Sequence, residues 1–191
     1  MTNMKILNFI VIAIIISSCA SFGTKTISKS SALKTFELKK IGYSQMASED
    51  ILDKIIPGTS TYFYNAIDSY YSGKQINIEK HLLLKFNDLN GIDTSEIKNI
   101  CKQFNLDGFL CTQLKYKFVD NYYLMIPLGK SEDTFTEMKL FDKNGNLILH
   151  TKHNTAMGNS YMKPPKADKT VKDGIFGALK RIDLEILKSK Q

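Results

Sequence analysis

Short motifs of common enzyme classes are missing from this chain. It has no G-x-S-x-G elbow, Walker loop, dinucleotide fingerprint or zinc-ligand spacing. Histidine is scarce: His81, His150 and His153 are the only three. On the strand expected there, His150 and His153 point to opposite faces and cannot share a metal, and neither has a Cys, Asp or Glu at ligand spacing. They read as surface or edge histidines. The acid pair Glu132-Asp133 falls in an expected loop, where it solubilises the chain. The expectation is a non-enzyme with no catalytic residue, no metal and no cofactor. A hydrolase whose residues assemble from distant positions is the least favoured alternative. Long apolar runs are also lacking. The longest, Phe9 to Ile16 (FIVIAIII), gives ~12 Å of helix against a ~30 Å hydrocarbon core, too short to span. No internal repeat is visible.

That short run follows a segment whose one charge is Lys5, which is the layout of a cleavable export signal. Directly behind it stands Ile16-Ser17-Ser18-Cys19: aliphatic, small, small, cysteine. The segment resembles the lipobox of bacterial lipoprotein precursors. The resemblance implies signal-peptidase recognition through Ile16, Ser17 and Ser18, cleavage before Cys19, and acylation of Cys19 on sulfur and amino group. A thiolate is the chain's best nucleophile for such alkylation. Each buried methylene is worth ~0.8 kcal/mol, so two or three long chains anchor a protein with no help from its fold. By analogy with enteric bacteria, where Asp after the cysteine signals retention, Ala20 and Ser21 favour the outer membrane, facing the periplasm.

Residues 1–18 are thus expected to be a signal peptide, 19–32 a lipidated cysteine with a flexible tether, and 33–191 a single periplasmic domain. Cleavage leaves 173 of 191 residues, enough for one sizeable core, and lowers the net charge from +7 to +6. The lysines are scattered, as on a solvated surface, although anionic head groups or cell-wall polymers are conceivable partners. Export removes nucleic acid as a partner. Cys101 and Cys111 allow one disulfide in an oxidising compartment or two buried free thiols, and the sequence leaves both open.

Along the domain, Leu33 to Tyr43 reads as strand. Ser48 starts a helix through Ile51, Leu52, Ile55 and Ile56, which Pro57-Gly58 stops. Thr59 or Ser60 caps a second helix with Phe63, Ala66, Ile67 and Tyr70 inward and an exit at Gly73. Residues 76–86 fit a strand from Ile76 or a helix from about Ile78, with the strand favoured. Asp93 and Glu96 resemble a capping box, with Ile92 and Ile97 as a staple, ahead of the stripe Ile97, Ile100, Cys101, Phe104. From Asp107-Gly108 the period becomes two, with Leu110, Thr112, Leu114 and Tyr116 on one face. Asp120-Asn121 is the expected turn, residues 122–128 the next strand, and residues 129–133 a loop. Thr134 to Asp142 and Asn146 to Thr155 form a hairpin about Asn144-Gly145, matched to a type I′ turn. Residues 156–166 are a loop. A last helix, from about Asp168 to Lys188, carries the stripe Val171, Ile175, Leu179, Ile182, Ile186, with Gly174 and Gly177 permitting close approach.

This order implies an α+β fold: one mostly antiparallel sheet with three to four helices chiefly on one face. Tyrosines cluster at Tyr62, Tyr64, Tyr70, Tyr71 and Tyr122-Tyr123. Tyr64 and Tyr71 are candidates for an exposed ledge, weighed against packing at a helix edge. The stretch from Ile97 through Asp107-Gly108-Phe109-Leu110 to Leu140-Phe141-Asp142 and Asn144-Gly145 is similar to periplasmic lipoproteins of the TolB amino-terminal-domain and curli-secretion kind. That resemblance covers about a third of the chain and implies an envelope accessory or assembly role. The functional expectation is therefore a membrane-anchored envelope lipoprotein that binds or organises a partner. The alternative is a lipoprotein that binds the cell wall or an anionic ligand.

Overall fold

The computed structural model describes residues 23–82, 84–123, 125–155 and 166–191. The leader, the lipobox residues Ile16, Ser17, Ser18 and Cys19, and the expected loop up to residue 165 lie outside them. Among the described residues six strands form one open mixed sheet: β1 (Gly23–Lys29), β2 (Lys40–Ser44), β3 (Asn77–His81), β4 (Gly108–Tyr123), β5 (Ile126–Asp142) and β6 (Leu147–Asn154). The order is β1-β6-β5-β4-β2-β3. Ladders β1·β6, β6·β5 and β5·β4 are antiparallel, while β2 runs parallel to both β3 and β4. Four α-helices are found among the described residues: α1 (Glu49–Ile55), α2 (Thr59–Tyr71), α3 (Thr94–Phe104) and α4 (Ala167–Ser189).

Alternation along β4 decides which helix lies on which face. Leu110 and Leu114 join Phe63 and Ile67 of α2 and Val171, Ile175, Leu179 and Ile182 of α4 in the main core. Phe109 and Cys111 point the other way and pack with Ile97, Ile100 and Cys101 of α3 in a second cluster. Three helices thus cover one face and α3 the other, the expected α+β arrangement. Each fully buried Leu, Ile or Phe stabilises by roughly 1.5–3 kcal/mol, and both clusters contain several at 0–1 % exposure. Double coverage explains why β2, between two parallel partners, is buried from Ile41 to Ser44.

Local chemistry holds best where a cap or stripe is strong. Asp93 Oδ1 accepts from Ser95 N at 2.8 Å, and Asn105 ends α3 in the left-handed region at φ 51°. The ambiguous segment 76–86 contributes strand β3. Gly174 and Gly177 lie where α4 approaches the sheet, against Thr136 and His153 respectively.

Several expectations are corrected. Part of the segment expected as a tether, 19–32, is structured: residues 23–29 form edge strand β1, and a 3-10 turn follows at Ser31–Thr35, whose start is capped by Ser30 Oγ accepting from Ala32 N. Leu33 lies in that turn, so the expected strand at 33–43 narrows to β2. Ser48 precedes α1 but does not cap it, because its hydroxyl donates to the Asn87 carbonyl at 2.8 Å. The N-cap of α2 is Gly58, and Asp53 Oδ1 accepts from Ser60 N at 2.9 Å.

Two turns also differ. No turn forms at Asp120-Asn121 and no loop at residues 129–133, since β4 and β5 pair without interruption to Tyr123↔Ile126, past one register shift. Between β5 and β6, Gly145 N donates to Asp142 O at 3.0 Å, and of the turn residues only Gly145 has positive φ (82°). The turn is therefore type I through Lys143-Asn144 with a left-handed glycine after it, not type I′. Asp142 Oδ1 favours this form by accepting from both Asn144 N and Asn146 N.

Candidate functional site

The lipobox residues expected from sequence precede β1 in the chain, so the structure bears on them only through where β1 starts. Gly23 begins β1 four residues after Cys19 and pairs with Asn154. Asn154 is level with Phe135, and Phe135 with Lys115. This one end of the sheet therefore holds the start of β1, the end of β6 and the base of the β4–β5 hairpin. The start of α4 joins them, because Thr170 Oγ1 donates to Glu132 O at 2.6 Å and Thr134 Oγ1 to Thr170 O at 2.9 Å. Lys115, Lys117, Lys166, Lys169 and Lys172 are exposed here, interspersed with Asp120, Asp168 and Asp173.

Edge strand β1 is fastened to α4 through buried charge. Glu185 is 7 % exposed. Its carboxylate accepts from Lys29 Nζ at 3.0 Å, Arg181 Nη2 at 2.9 Å and Thr26 Oγ1 at 3.1 Å. Its acidity is strengthened chiefly by the Lys29 hydrogen bond, with Thr26 and Arg181 adding and desolvation opposing. Arg181 Nε also donates to Thr26 Oγ1 at 2.8 Å. β1 is thus tied to α4, the longest of the described helices, as well as to β6.

The histidines occupy three separate environments. His81 is buried with its ring 4.4 Å from that of Phe104. His150 Nε2 lies 3.4 Å from Glu137 Oε2, on the face away from α4. His153 faces α4 against Gly177, with Nδ1 2.6 Å from Thr24 Oγ1. Burial is the main cause lowering the pKa of all three. The opposite faces expected for His150 and His153 are found. Among the described residues, no group of three or more His, Cys, Asp or Glu is placed to hold a metal.

Cys101 and Cys111 are two free, buried thiols rather than a disulfide. Burial pushes the Cys101 thiol up to about 11 and the Cys111 thiol higher still. The tyrosine ledge does not form. Tyr71 is 4 % exposed in the main core, Tyr64 donates to Glu49, and Lys80 Nζ sits 3.1 Å from the Tyr64 ring centre. Tyr70, expected to face inward, lies at the helix edge. It donates to Asp183 Oδ2 at 2.7 Å with Lys74 Nζ over its ring.

Clefts among the described residues include two. One of about 280 Å³ is lined by Gln45, Met46, Ser48, Glu49, Lys85 and Phe86. The other, about 360 Å³, lies among Phe36, Glu37, Asp107, Asp142, Lys143 and Asn144. Its acids are engaged in structure: Asp107 Oδ2 accepts from Lys39 N and Lys40 N, and Asp142 shapes the β5–β6 turn. The Asp107-Gly108 and Phe141-Asp142 motifs are therefore strand entry and exit chemistry.

The fold defines an α+β class in which helices pack on an open six-stranded mixed sheet. Among solved structures that share it is the PelC dodecamer of Paraburkholderia phytofirmans, with TM-score 0.52 and 11 % identity over 82 % of this chain and 93 % of that one. Weaker likenesses include lipoprotein GNA1162 from Neisseria meningitidis (TM-score 0.39, 11 % identity, 78 % of this chain and 97 % of that one). Another is a minor lipoprotein from Acinetobacter baumannii (TM-score 0.33, 9 % identity, 78 % and 91 %). Neither the protein-family models nor the curated proteins compared match the chain.

Proposed function

We propose that this chain is a bacterial envelope lipoprotein, held to the outer membrane through acylated Cys19, whose folded domain is a non-catalytic assembly component. The observation that carries the proposal is the lipobox Ile16-Ser17-Ser18-Cys19 behind an eight-residue apolar run. In support, Gly23, which opens β1, stands four positions later, and this strand is ion-paired to α4 as a mechanical attachment needs to be. The likeness to PelC, solved as a dodecamer, supports self-assembly as the organising activity. Palmitate labelling with membrane fractionation tests the anchor: label and membrane retention are expected in wild type and lost in Cys19→Ala. Label that persists in the variant overturns the assignment. Light scattering of the detergent-solubilised protein tests assembly, with a mass of several chains expected and a monomer counting against it.

A further inference from the structure

α3 covers one part of its side of the sheet. Its partners there are Phe109, Cys111 and Phe141, and Lys139 Nζ closes the rim of that cluster by donating to the Leu89 carbonyl at 2.8 Å. Past Lys139 the same face turns largely polar. Strand register sets Lys25, Lys152, Glu137 and Gln113 side by side across β1, β6, β5 and β4. Asn154, Phe135 and Lys115 form the next row. Directly opposed residues share a face of the sheet, and the contacts agree. Lys152 Nζ donates to Glu137 Oε1 at 2.7 Å and stands 5.5 Å from the Phe135 ring centre.

Charge on these rows is one-sided where it meets solvent. Lys25 and Lys115 are exposed and Lys152 is half-buried. The carboxylates of the face are withdrawn. Glu137 is held by Lys152 Nζ at 2.7 Å and His150 Nε2 at 3.4 Å, and Asp133, one row further, is 3 % exposed. Lys25 directly opposite Lys152 costs stability, because like charges then face each other across a strand pair. Folding therefore does not explain that pair. With strands ~4.8 Å apart, Lys25 and Lys115 stand about 14 Å from each other across the sheet, with Lys152 and Phe135 between them. A single anion beside one exposed lysine gains only ~1 kcal/mol in water. A polymer with an anion on each repeat engages several lysines at once and gains from the linkage.

We infer that this face binds an anionic polysaccharide, with Lys25, Lys115 and Lys152 on its acidic groups and the half-buried Phe135 ring against the apolar side of a sugar. Charge complementarity selects an anion. Phe135 and Gln113 select a glycan over a bare charge: the ring offers apolar area, and the amide offers both donors and an acceptor to hydroxyl groups. A bilayer is a poor occupant, because these rows hold no exposed large apolar side chain to insert. The face belongs to the folded domain and is present whether or not Cys19 is acylated. It adds a ligand to the assembly role proposed above.

The test uses the full chain in a non-ionic detergent, with fluorescein-labelled polygalacturonate as the probe and neutral dextran and poly-glutamate as comparisons. Fluorescence anisotropy reads binding at ~0.15 M salt, where the Debye length is ~8 Å. Polygalacturonate is expected to bind and dextran is not. Lys25→Gln combined with Lys115→Gln is expected to weaken binding at least about fivefold, whereas Lys169→Gln combined with Lys180→Gln, both exposed on α4, changes it less than about twofold. The two pairs remove the same charge, so an equal loss means unspecific attraction and overturns the inference. Lys152 stays in place because it holds Glu137. Phe135→Leu, which keeps the strand, is expected to weaken polygalacturonate and leave poly-glutamate unchanged. Poly-glutamate that binds as tightly and responds alike in every variant makes the occupant an acidic polypeptide and overturns the glycan. Absent polygalacturonate binding, or dextran bound equally well, overturns it too.

Discussion

Gly145 lies directly beneath the carbonyl of Thr94, so closely that no Cβ fits between the β5–β6 turn and the first residue of α3. Two constraints meet there, because Gly145 also has φ of 82°. Gly145→Ala is expected to cost about 1–2 kcal/mol for the left-handed backbone and a further ~1–3 kcal/mol for overpacking. Urea unfolding monitored by circular dichroism reads the sum. An unchanged midpoint means that turn and helix do not touch.

Removing the Glu185 carboxylate leaves Lys29 and Arg181 facing each other beside β1. Glu185→Ala is expected to destabilise by about 1–3 kcal/mol, the range for lost hydrogen bonds to a charged, buried group. Its distinctive effect is local: amide exchange should accelerate over residues 23–29 more than over β4 and β5. Uniform acceleration across the sheet contradicts a specific role in holding β1.

Low pH should weaken the fold before the carboxylates titrate. His81, His150 and His153 all have pKa values lowered in the folded state. The unfolded chain, with imidazoles near 6.5, then binds more protons, and stability falls as pH drops through that value. Stability from these groups is fully present above pH ~6.5 and is lost progressively below it. His153→Gln should flatten the slope. A slope unchanged in that variant assigns the effect elsewhere.

Native protein should react slowly with thiol reagents, because Cys101 and Cys111 are buried with raised pKa values and the thiolate is the reacting form. After denaturation without reductant, Cys101 and Cys111 are expected to contribute two thiols per chain. A count of zero at Cys101 and Cys111 shows a disulfide.

Elements governed by neighbours along the chain were readable from residues alone. Asp93 caps α3 because its carboxylate reaches Ser95, two residues away. The α4 stripe faces the core because i, i+3 and i+4 share one side of a helix. Asn144-Gly145 marked a turn correctly, but the turn type depended on Asp142, whose side chain gathers the amides of Asn144 and Asn146. Asp120-Asn121 looked like a turn by composition, yet Asp120 pairs with Lys130 and Asn121 with Gly129 across a continuous ladder. Tyr70 and Tyr71 exchanged expected places because Asp183, more than a hundred residues away, holds the Tyr70 hydroxyl at the helix edge.

The proposed lipidation of Cys19 stands wholly on sequence, since the lipobox it rests on would be a linear signal read before folding. So do the existence of most helices and the pairing of β5 with β6, which follow from short-range caps, stripes and turns. Tertiary structure alone decided that β1 belongs to the sheet, because Gly23–Lys29 has little apolar side-chain area and is held by β6 and by Glu185. It alone brought Gly23, Asn154, Phe135 and Lys115 level at one end of the sheet. That relation depends on strand register, and register is set by partners distant in the chain.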